Sequence, residues 1–329
     1  MVKKILELGV MGTADIAVSR VIPNLRASKR VHVRALASRD GNRARQWAGK
    51  FGIARHYDSY ERLLGDETID AVYIPLINSL HAEWTMRSLQ GGKHVICEKP
   101  LALTAGQVRD MIRRARDKRL VLMEAFMYRY HPRNVAVFDM VRRGEIGKLK
   151  AVESAFSYVL EDESSYLLNR DLGGGALYDV GCYPVNVSRM LTGSEPLHVY
   201  GQKNNAPSKV DMTFVGVMRF PGGVLSTFHV AMDEEPRFWY RVIGDRGLIE
   251  VPWAFVSFGK ETHLIVQRGE KQEIRSFEGV DEYRLEFEHF ADIIDGSVEP
   301  LYPIEDSLKN AEVLEALRES ASGGVPRRV

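Results

Sequence analysis

From Ile5 to Met123 the chain alternates short apolar runs with amphipathic helical patterns, and this alternation limits its possible folds more than any other feature. The runs are Ile5 to Val10, Val31 to Ala37, Ile69 to Ile74, Val95 to Cys97 and Val121 to Met123. Between them apolar residues recur at helical spacing. Val18, Val21, Ile22 and Leu25 make one face, with Pro23 predicting an irregularity; Val108, Met111, Ile112 and Ala115 make another, behind a Thr104 cap. Repeated strand-helix units demand a parallel, doubly wound sheet, and such sheets bind ligands beyond the carboxyl ends of their strands.

After Ala125 the pattern changes. Strands are longer and follow one another directly: Leu149 to Tyr158, Val210 to Phe220, Val224 to Ala231 and Trp239 to Ile243, with Pro221-Gly222-Gly223 as a hairpin turn. The class is therefore α/β plus α+β. Residues 1–125 form the first domain, and residues 126–329 form a second built on an open, mostly antiparallel sheet. The final helix is expected to pack back on the first domain, and the tail from Gly323 to fray. The sheet's uncovered face is a natural surface for self-association.

Composition excludes several functions. A net charge of +1 offers no long-range attraction for nucleic acid. Cys97 and Cys182 sit in apolar contexts without redox or metal spacing, the histidines show no metal-ligand pattern, and no metal site is expected. No apolar run has membrane-spanning length and no signal-peptide region opens the chain, so a cytoplasmic location is expected.

Three stretches carry chemistry. Gly12-x-Ala14-x-x-Ala17 stands between the first strand and its helix, where a dinucleotide-binding turn has Gly-x-Gly-x-x-Gly/Ala. Gly12 makes the tight turn, Ala14 lets the backbone approach a pyrophosphate, and the helix start offers its amides. A strand-turn-helix also needs small residues for packing alone. At the end of the second strand, Ser38-Arg39 suits a 2′-phosphate, which favours NADP; Asp40, one residue later, leaves NAD open.

The second stretch is Glu98-Lys99-Pro100, closing the Val95 to Cys97 strand where a ligand would lie. The alternative is a surface lysine with Glu98 as its ion-pair partner. The neighbouring loop, Pro75 to His81, borders the same edge. Asn78 or Ser79 could equally be a helix N-cap, and His81 a structural group. The third stretch is Gly173-Gly174-Gly175-Ala176-Leu177-Tyr178-Asp179-Val180-Gly181-Cys182-Tyr183-Pro184. Asp179 and Tyr183 share a helical face, Pro184 predicts a kink, and the glycines allow close approach to a cofactor or a strand. Tyr183 could also be a core aromatic whose hydroxyl is satisfied by Asp179. Phe126-Met127-Tyr128-Arg129-Tyr130-His131-Pro132 is both a hinge and a candidate cleft wall, with Arg129 and His131 as substrate contacts.

With these elements in place the chain resembles the glucose-fructose oxidoreductase / inositol dehydrogenase (Gfo/Idh/MocA) family over essentially its whole length. The likeness rests on Gly12-Thr13-Ala14-Asp15-Ile16-Ala17, on Glu98-Lys99-Pro100 and on the Asp179-x-x-x-Tyr183 element. Tyr183, where inositol-dehydrogenase-like members carry His, makes it more similar to the xylose dehydrogenase, sugar ketoreductase and dihydrodiol dehydrogenase branch. The stretch from Glu124 to Pro132 looks like the xylose dehydrogenase and ketoreductase members.

The resemblance implies a Rossmann first domain and a second domain for substrate binding and homodimer or homotetramer contacts. It also implies NAD(P)-dependent hydride transfer at a sugar carbon. In that branch Ser-Arg after the second strand goes with NADP, and the Lys99-Pro100 bond is expected cis. Gly12, Thr13, Ala14, Asp15, Ile16, Ser38, Arg39, Pro75, Asn78, His81, Glu98 and Lys99 are then the cofactor-binding candidates. Lys99 and Tyr183 are the catalytic pair with Asp179 orienting, since a nearby ammonium stabilises a tyrosinate and both can hydrogen-bond the reacting oxygen. The leading activity is an NADP-dependent aldose dehydrogenase. The alternatives are a ketoreductase of a keto-sugar, free or nucleotide-linked, with Arg129, Arg170 and Arg237 as candidate nucleotide contacts, and a catalytically silent NADP-sensing regulator.

Overall fold

A computed structural model describes residues 4–329. They form two compact units: the chain up to Met127 together with Asp281–Leu308, and Tyr128–Val280 together with Lys309–Val329.

The first unit is built on six strands: β1 Leu6–Met11, β2 Val31–Ala37, β3 Arg55–Tyr57, β4 Ala71–Ile74, β5 His94–Glu98 and β6 Leu122–Ala125. Their spatial order is β3-β2-β1-β4-β5-β6, every pair parallel, as the alternation demands. Strand order reverses between β1 and β4, which makes that gap the switch point of the sheet. Helices cover both faces, so β4 is buried throughout and Val95, Ile96 and Cys97 are fully buried in β5. Strand β3 was not foreseen, because Arg55-His56-Tyr57 at the sheet edge carries no apolar signal.

The irregularity expected at Pro23 is present, but it begins earlier. Ala17–Val21 is a π-turn that runs on into the α-helical segment Ile22–Leu25, and the widened turn accommodates Pro23, which supplies no N–H to the turn before it. The helix Glu282–Ile294 joins this unit. Phe287 and Phe290 are fully buried, Phe287 meets the Tyr73 ring edge-on at 5.1 Å, and Arg30 donates to Asp292 at 2.7 Å.

The second unit carries nine strands: β7 Leu149–Val159, β8 His198–Asn205, β9 Asp211–Arg219, β10 Leu225–Ala231, β11 Asp233–Gly244, β12 Leu248–Val251, β13 Thr262–Arg268, β14 Lys271–Phe277 and β15 Arg327–Arg328. Their order is β14-β13-β12-β11-β7-β10-β9-β8-β15. All pairs are antiparallel except β7 with β10, at the centre. The chain leaves β7 through the helix Cys182–Thr192 before it returns to the sheet, and a helical crossover permits parallel pairing. The hairpin at Pro221–Gly223 is as expected, with Gly222 and Gly223 at φ +72° and +81°.

The tail corrects one expectation. Rather than fraying from Gly323, the last helix, Glu305–Gly323, is followed by Gly324 at φ +68°, and β15 pairs with His198 and Val199 of β8. The unpaired edge of β8 supplies hydrogen bonds that the sequence of the tail does not advertise.

Candidate active site

In the first unit, the candidates cluster at the carboxyl ends of β1, β2, β4 and β5. Gly12 follows β1 directly, with φ +107°, and its N–H donates to the Ala37 carbonyl at 2.7 Å. A Cβ at this φ would be strained and would lie 3.0 Å from Leu76 Cδ2, so the turn needs glycine. Ala14 accepts from the Ala17 and Val18 amides at 3.0 and 3.2 Å, which starts the helix. Thr13 is buried, Asp15 is exposed and accepts from Ser19 Oγ at 3.1 Å, and Ile16 is half-buried. The turn leaves backbone, not side chains, facing the end of β1.

At the end of β2, Ser38 is buried and its Oγ accepts from the Asp40 amide at 3.2 Å, while Arg39 is exposed and its charge opposes the upward push of burial on the Tyr60 phenol. The Asp40 carboxylate caps the helix Gly41–Phe51, accepting from the Asn42 and Arg43 amides at 2.9 and 3.2 Å. It is thus committed to its own helix, while the guanidinium beside it remains available to an anion. Sequence reading missed Arg43, whose guanidinium donates to the Thr13 carbonyl at 3.1 Å and adds a second cation to this corner. Helical spacing alone gave no reason to single it out.

The Glu98-Lys99-Pro100 turn is fixed on three sides. Tyr73, the next-to-last residue of β4, donates its phenol to Glu98 Oε1 at 2.7 Å. Burial pushes the Tyr73 phenol well up, so it stays protonated as a donor. His81 is fully buried, and its two ring nitrogens lie 2.8 Å from the carbonyl oxygens of Pro100 and Leu76. Burial holds the imidazole pKa down, and the Lys99 charge pushes the same way. Buried Glu124, from β6, accepts from the Leu101 amide at 2.8 Å. The Lys99-Pro100 bond is cis, as the resemblance implied.

The neighbouring loop differs from one sequence alternative. Neither Asn78 nor Ser79 caps the following helix. The helix His81–Gln90 is entered through a 3₁₀ turn, Asn78–Leu80, with no side-chain cap, and Pro75 and Asn78 are buried at the end of β4. Tyr73 and Glu124 were missed as partners of the turn, because each reads as an ordinary strand residue.

In the second unit, Asp179 and Tyr183 lie on one continuous helical run, but the spacing is not plain α-helix. Leu177–Gly181 is a π-turn that passes into the α-helix Cys182–Thr192. The widened turn takes up the irregularity that Pro184 imposes, since proline supplies no N–H to the preceding turn. The Tyr183 ring is buried in an aromatic cage, with centroids 5.2 Å from Phe156, 5.4 Å from Phe255 and 5.6 Å from Tyr128. Asp179 is half-buried and accepts from the Tyr158 phenol at 2.6 Å. Tyr158, near the end of β7, is a further residue missed; alternation marks it only as a strand position.

The glycines preceding the helix press against protein. A Cβ at Gly174 would overlap the Leu167 carbonyl, and one at Gly175 the Asp211 carboxylate. His131 caps the helix Pro132–Arg142, its Nδ1 accepting from the Arg133 amide at 3.1 Å; burial and the Arg133 charge hold its pKa down at about 4. Arg129 is buried. Arg170 is exposed, and Arg237 is tied to Ser157 Oγ at 3.1 Å and to Glu234. Both cysteines are buried free thiols. Among the described residues no group of His, Cys, Asp and Glu could hold a metal ion, and no helix is long and apolar enough to cross a membrane.

Comparison with known proteins identifies the family. The oxidoreductase family profile with an NAD-binding Rossmann fold (GFO_IDH_MocA) matches residues 6–126, and a C-terminal domain profile of the same family matches residues 135–250. The chain is 39% identical to an uncharacterised oxidoreductase of Rhizobium meliloti, covering 97% of this chain and 98% of that one. The chain belongs to the Gfo/Idh/MocA oxidoreductase family. Within that family it is 36% identical to an NADP(+)-dependent D-xylose 1-dehydrogenase of Haloferax volcanii, over 96% and 97% of the two chains. A solved relative, a 3-ketoreductase of Actinomadura kijaniata in complex with NADP and TDP-benzene, superimposes with a TM-score of 0.91 at 30% identity, over 96% of this chain and 98% of that one.

Proposed function

We propose that this protein is an NADP-dependent oxidoreductase that moves a hydride between the nicotinamide and a carbinol or carbonyl carbon of a sugar, in the manner of an aldose dehydrogenase. The observation that carries the reading is the Glu98-Lys99-Pro100 turn. Tyr73, His81 and Glu124 hold it from three directions, so that one lysine stands at the carboxyl end of an interior parallel strand.

The residues at the ends of β1 and β2 fit a dinucleotide. Gly12 to Ile16 would approach its pyrophosphate with backbone amides, and Ser38 and Arg39 would take the 2′-phosphate, with Asp40 occupied as a helix cap. Pro75, Asn78, Glu98 and Lys99 would border the ring, with His81 holding the loop that carries them. When bound, the cofactor supplies or accepts the hydride.

The chain's own part is acid-base chemistry. Lys99 Nζ and Tyr183 Oη hydrogen-bond the substrate's reacting oxygen, and this pair exchanges its proton. Asp179, held by Tyr158, orients the substrate or the lysine. Arg129 and His131 are assigned to the substrate side, and the second unit to substrate binding and self-association. Its sheet turns Val215, Val217 and Leu225 outwards on one face, paired with His229, Thr227 and Arg219, a mixed surface suited to a homodimer or homotetramer contact. A cytoplasmic location accompanies this reading.

The second reading, reduction of a keto-sugar, uses the same residues in reverse and is favoured by the likeness to a ketoreductase. One experiment tests both. NADP and NAD reduction is followed at alkaline pH across aldoses, inositols and dihydrodiols, and NADPH oxidation across keto-sugars. Turnover of an aldose with NADP supports the first reading, and turnover of keto-sugars alone supports the second. NADPH binding with no turnover anywhere would leave a cofactor-sensing regulator.

A further inference from the structure

The helix that carries Asp179 and Tyr183 begins without a cap of its own. Its first turn is preceded by Gly175, which has no side chain to offer, and no side chain of the turn itself caps it. The exposed end amides of a helix need acceptors. Here the acceptor comes from another strand, 34 residues away. Asp211, the first residue of β9, accepts the Leu177 amide on Oδ2 at 2.7 Å. The same carboxylate fills the space where a Cβ at residue 175 would lie, and Gly175 takes φ +111° against it. The Gly175 carbonyl in turn accepts the Asp179 amide at 3.0 Å. One carboxylate therefore sets both the turn and the residue from which Asp179 hangs.

We infer that Asp211 is a positioning residue for the reaction, a cap supplied by the sheet that fixes where the helix presents Asp179 and Tyr183. This rests on the assignment of those two residues to the reacting oxygen. The groups facing the carboxylate are few. Lys203 approaches from β8 and Tyr178 from the helix, the latter itself facing Arg170, Glu315 and Arg318. Burial pushes the Asp211 carboxyl up to about 6, against the pull of its amide donors and of Lys203. Above that pH the ionised group holds the turn. Below it the protonated group accepts more weakly, and the turn loosens.

The test combines hydrogen exchange with turnover, using D-xylose and NADP as the probe. In the wild-type protein, protection of the Leu177 and Asp179 amides, corrected for intrinsic rate, is expected to fall as pH drops through about 6. D211A is expected to lose this protection at pH 8 and to lower kcat roughly ten- to a hundredfold through misplacement, with the KM for NADP within about twofold. D211N keeps an acceptor oxygen. It is expected to restore most of the kcat that D211A loses, and to remove the acid fall in both protection and kcat.

Wild-type protection and kcat in D211A would overturn the inference, as would an unchanged acid limb in D211N. Should D-xylose not be turned over, the exchange data alone decide. An inactive Lys99→Met protein with normal Leu177 protection separates the catalytic assignment from this one.

Discussion

The surroundings of Lys99 and of Tyr183 are built in opposite ways. Lys99 follows a strand of a parallel sheet, and the groups fixing its turn come from the neighbouring strands β4 and β6 and from the first residue of the helix after β4. Tyr183 sits on a helix, and what fixes it comes from several separate elements rather than from adjacent strands of one parallel sheet. Rings from residues 128, 156 and 255 cage it, Tyr158 holds its neighbour Asp179, and Asp211 holds the start of its helix. A turn at a strand end is set by topology, whereas a tyrosine on a helix is set by long-range packing. Substitutions around the first should act locally, and those around the second should spread.

The largest effect to break this comparison is at Tyr183. Tyr183→Phe keeps the caged ring and removes only the hydroxyl. It is expected to lower kcat by about a hundredfold or more, in line with losing a proton-transfer group, while thermal stability stays near wild type. Loss of stability without loss of kcat would make Tyr183 a core aromatic after all. Next comes Tyr158→Phe, which frees the Asp179 carboxylate from its 2.6 Å partner. We expect kcat to fall about tenfold with little change in the KM for NADP, since only orientation is lost.

Arg39→Ala sharpens the first region. Removing a charge-assisted phosphate contact should raise the KM for NADP roughly tenfold and leave that for NAD nearly unchanged, because such a bond from an exposed side chain contributes about 1.5 kcal/mol, the low end of the range for charged hydrogen bonds. An equal rise for both cofactors would contradict the assignment of Arg39 to the 2′-phosphate.

The smallest effects are in stability. Tyr73→Phe should cost about 1–3 kcal/mol, since it leaves a part-buried carboxylate oxygen short of a donor. His131 adds a pH dependence. Its pKa is depressed in the folded protein to about 4, so the unfolded chain binds the proton first as pH falls. Stability from this group is full above the ordinary histidine range and is lost as pH falls towards 4. Asp211 has the opposite sign, because its raised pKa makes the folded state the tighter proton binder in the same window. Denaturant melts between pH 4 and 7 should therefore flatten in one direction for His131→Asn and in the other for D211N.

The same contrast explains what the sequence could and could not disclose. Alternating periodicity was enough for the parallel sheet, the Gly12 turn and the position of Lys99, because each depends on residues close in sequence. The spacing of Asp179 and Tyr183 discloses a shared helical run, though not its π-turn, and only the family resemblance assigns the pair a role. Tyr73, Glu124, Tyr158 and Asp211 were not legible, since a residue whose role is a hydrogen bond to a distant segment looks like any other strand residue until the strands are paired. The short polar strand β3 and the terminal strand β15 escaped for the same reason: an edge position, not apolar pattern, makes them strands.

The central claim is that Lys99 serves the reacting oxygen rather than holding the cofactor. Its most direct test is Lys99→Met, with NADPH affinity followed by nicotinamide fluorescence alongside turnover of the best sugar substrate. The account predicts binding close to wild type and kcat lower by about a thousandfold. Turnover at the wild-type rate, or lost NADPH binding that by itself explains the lost activity, would contradict it.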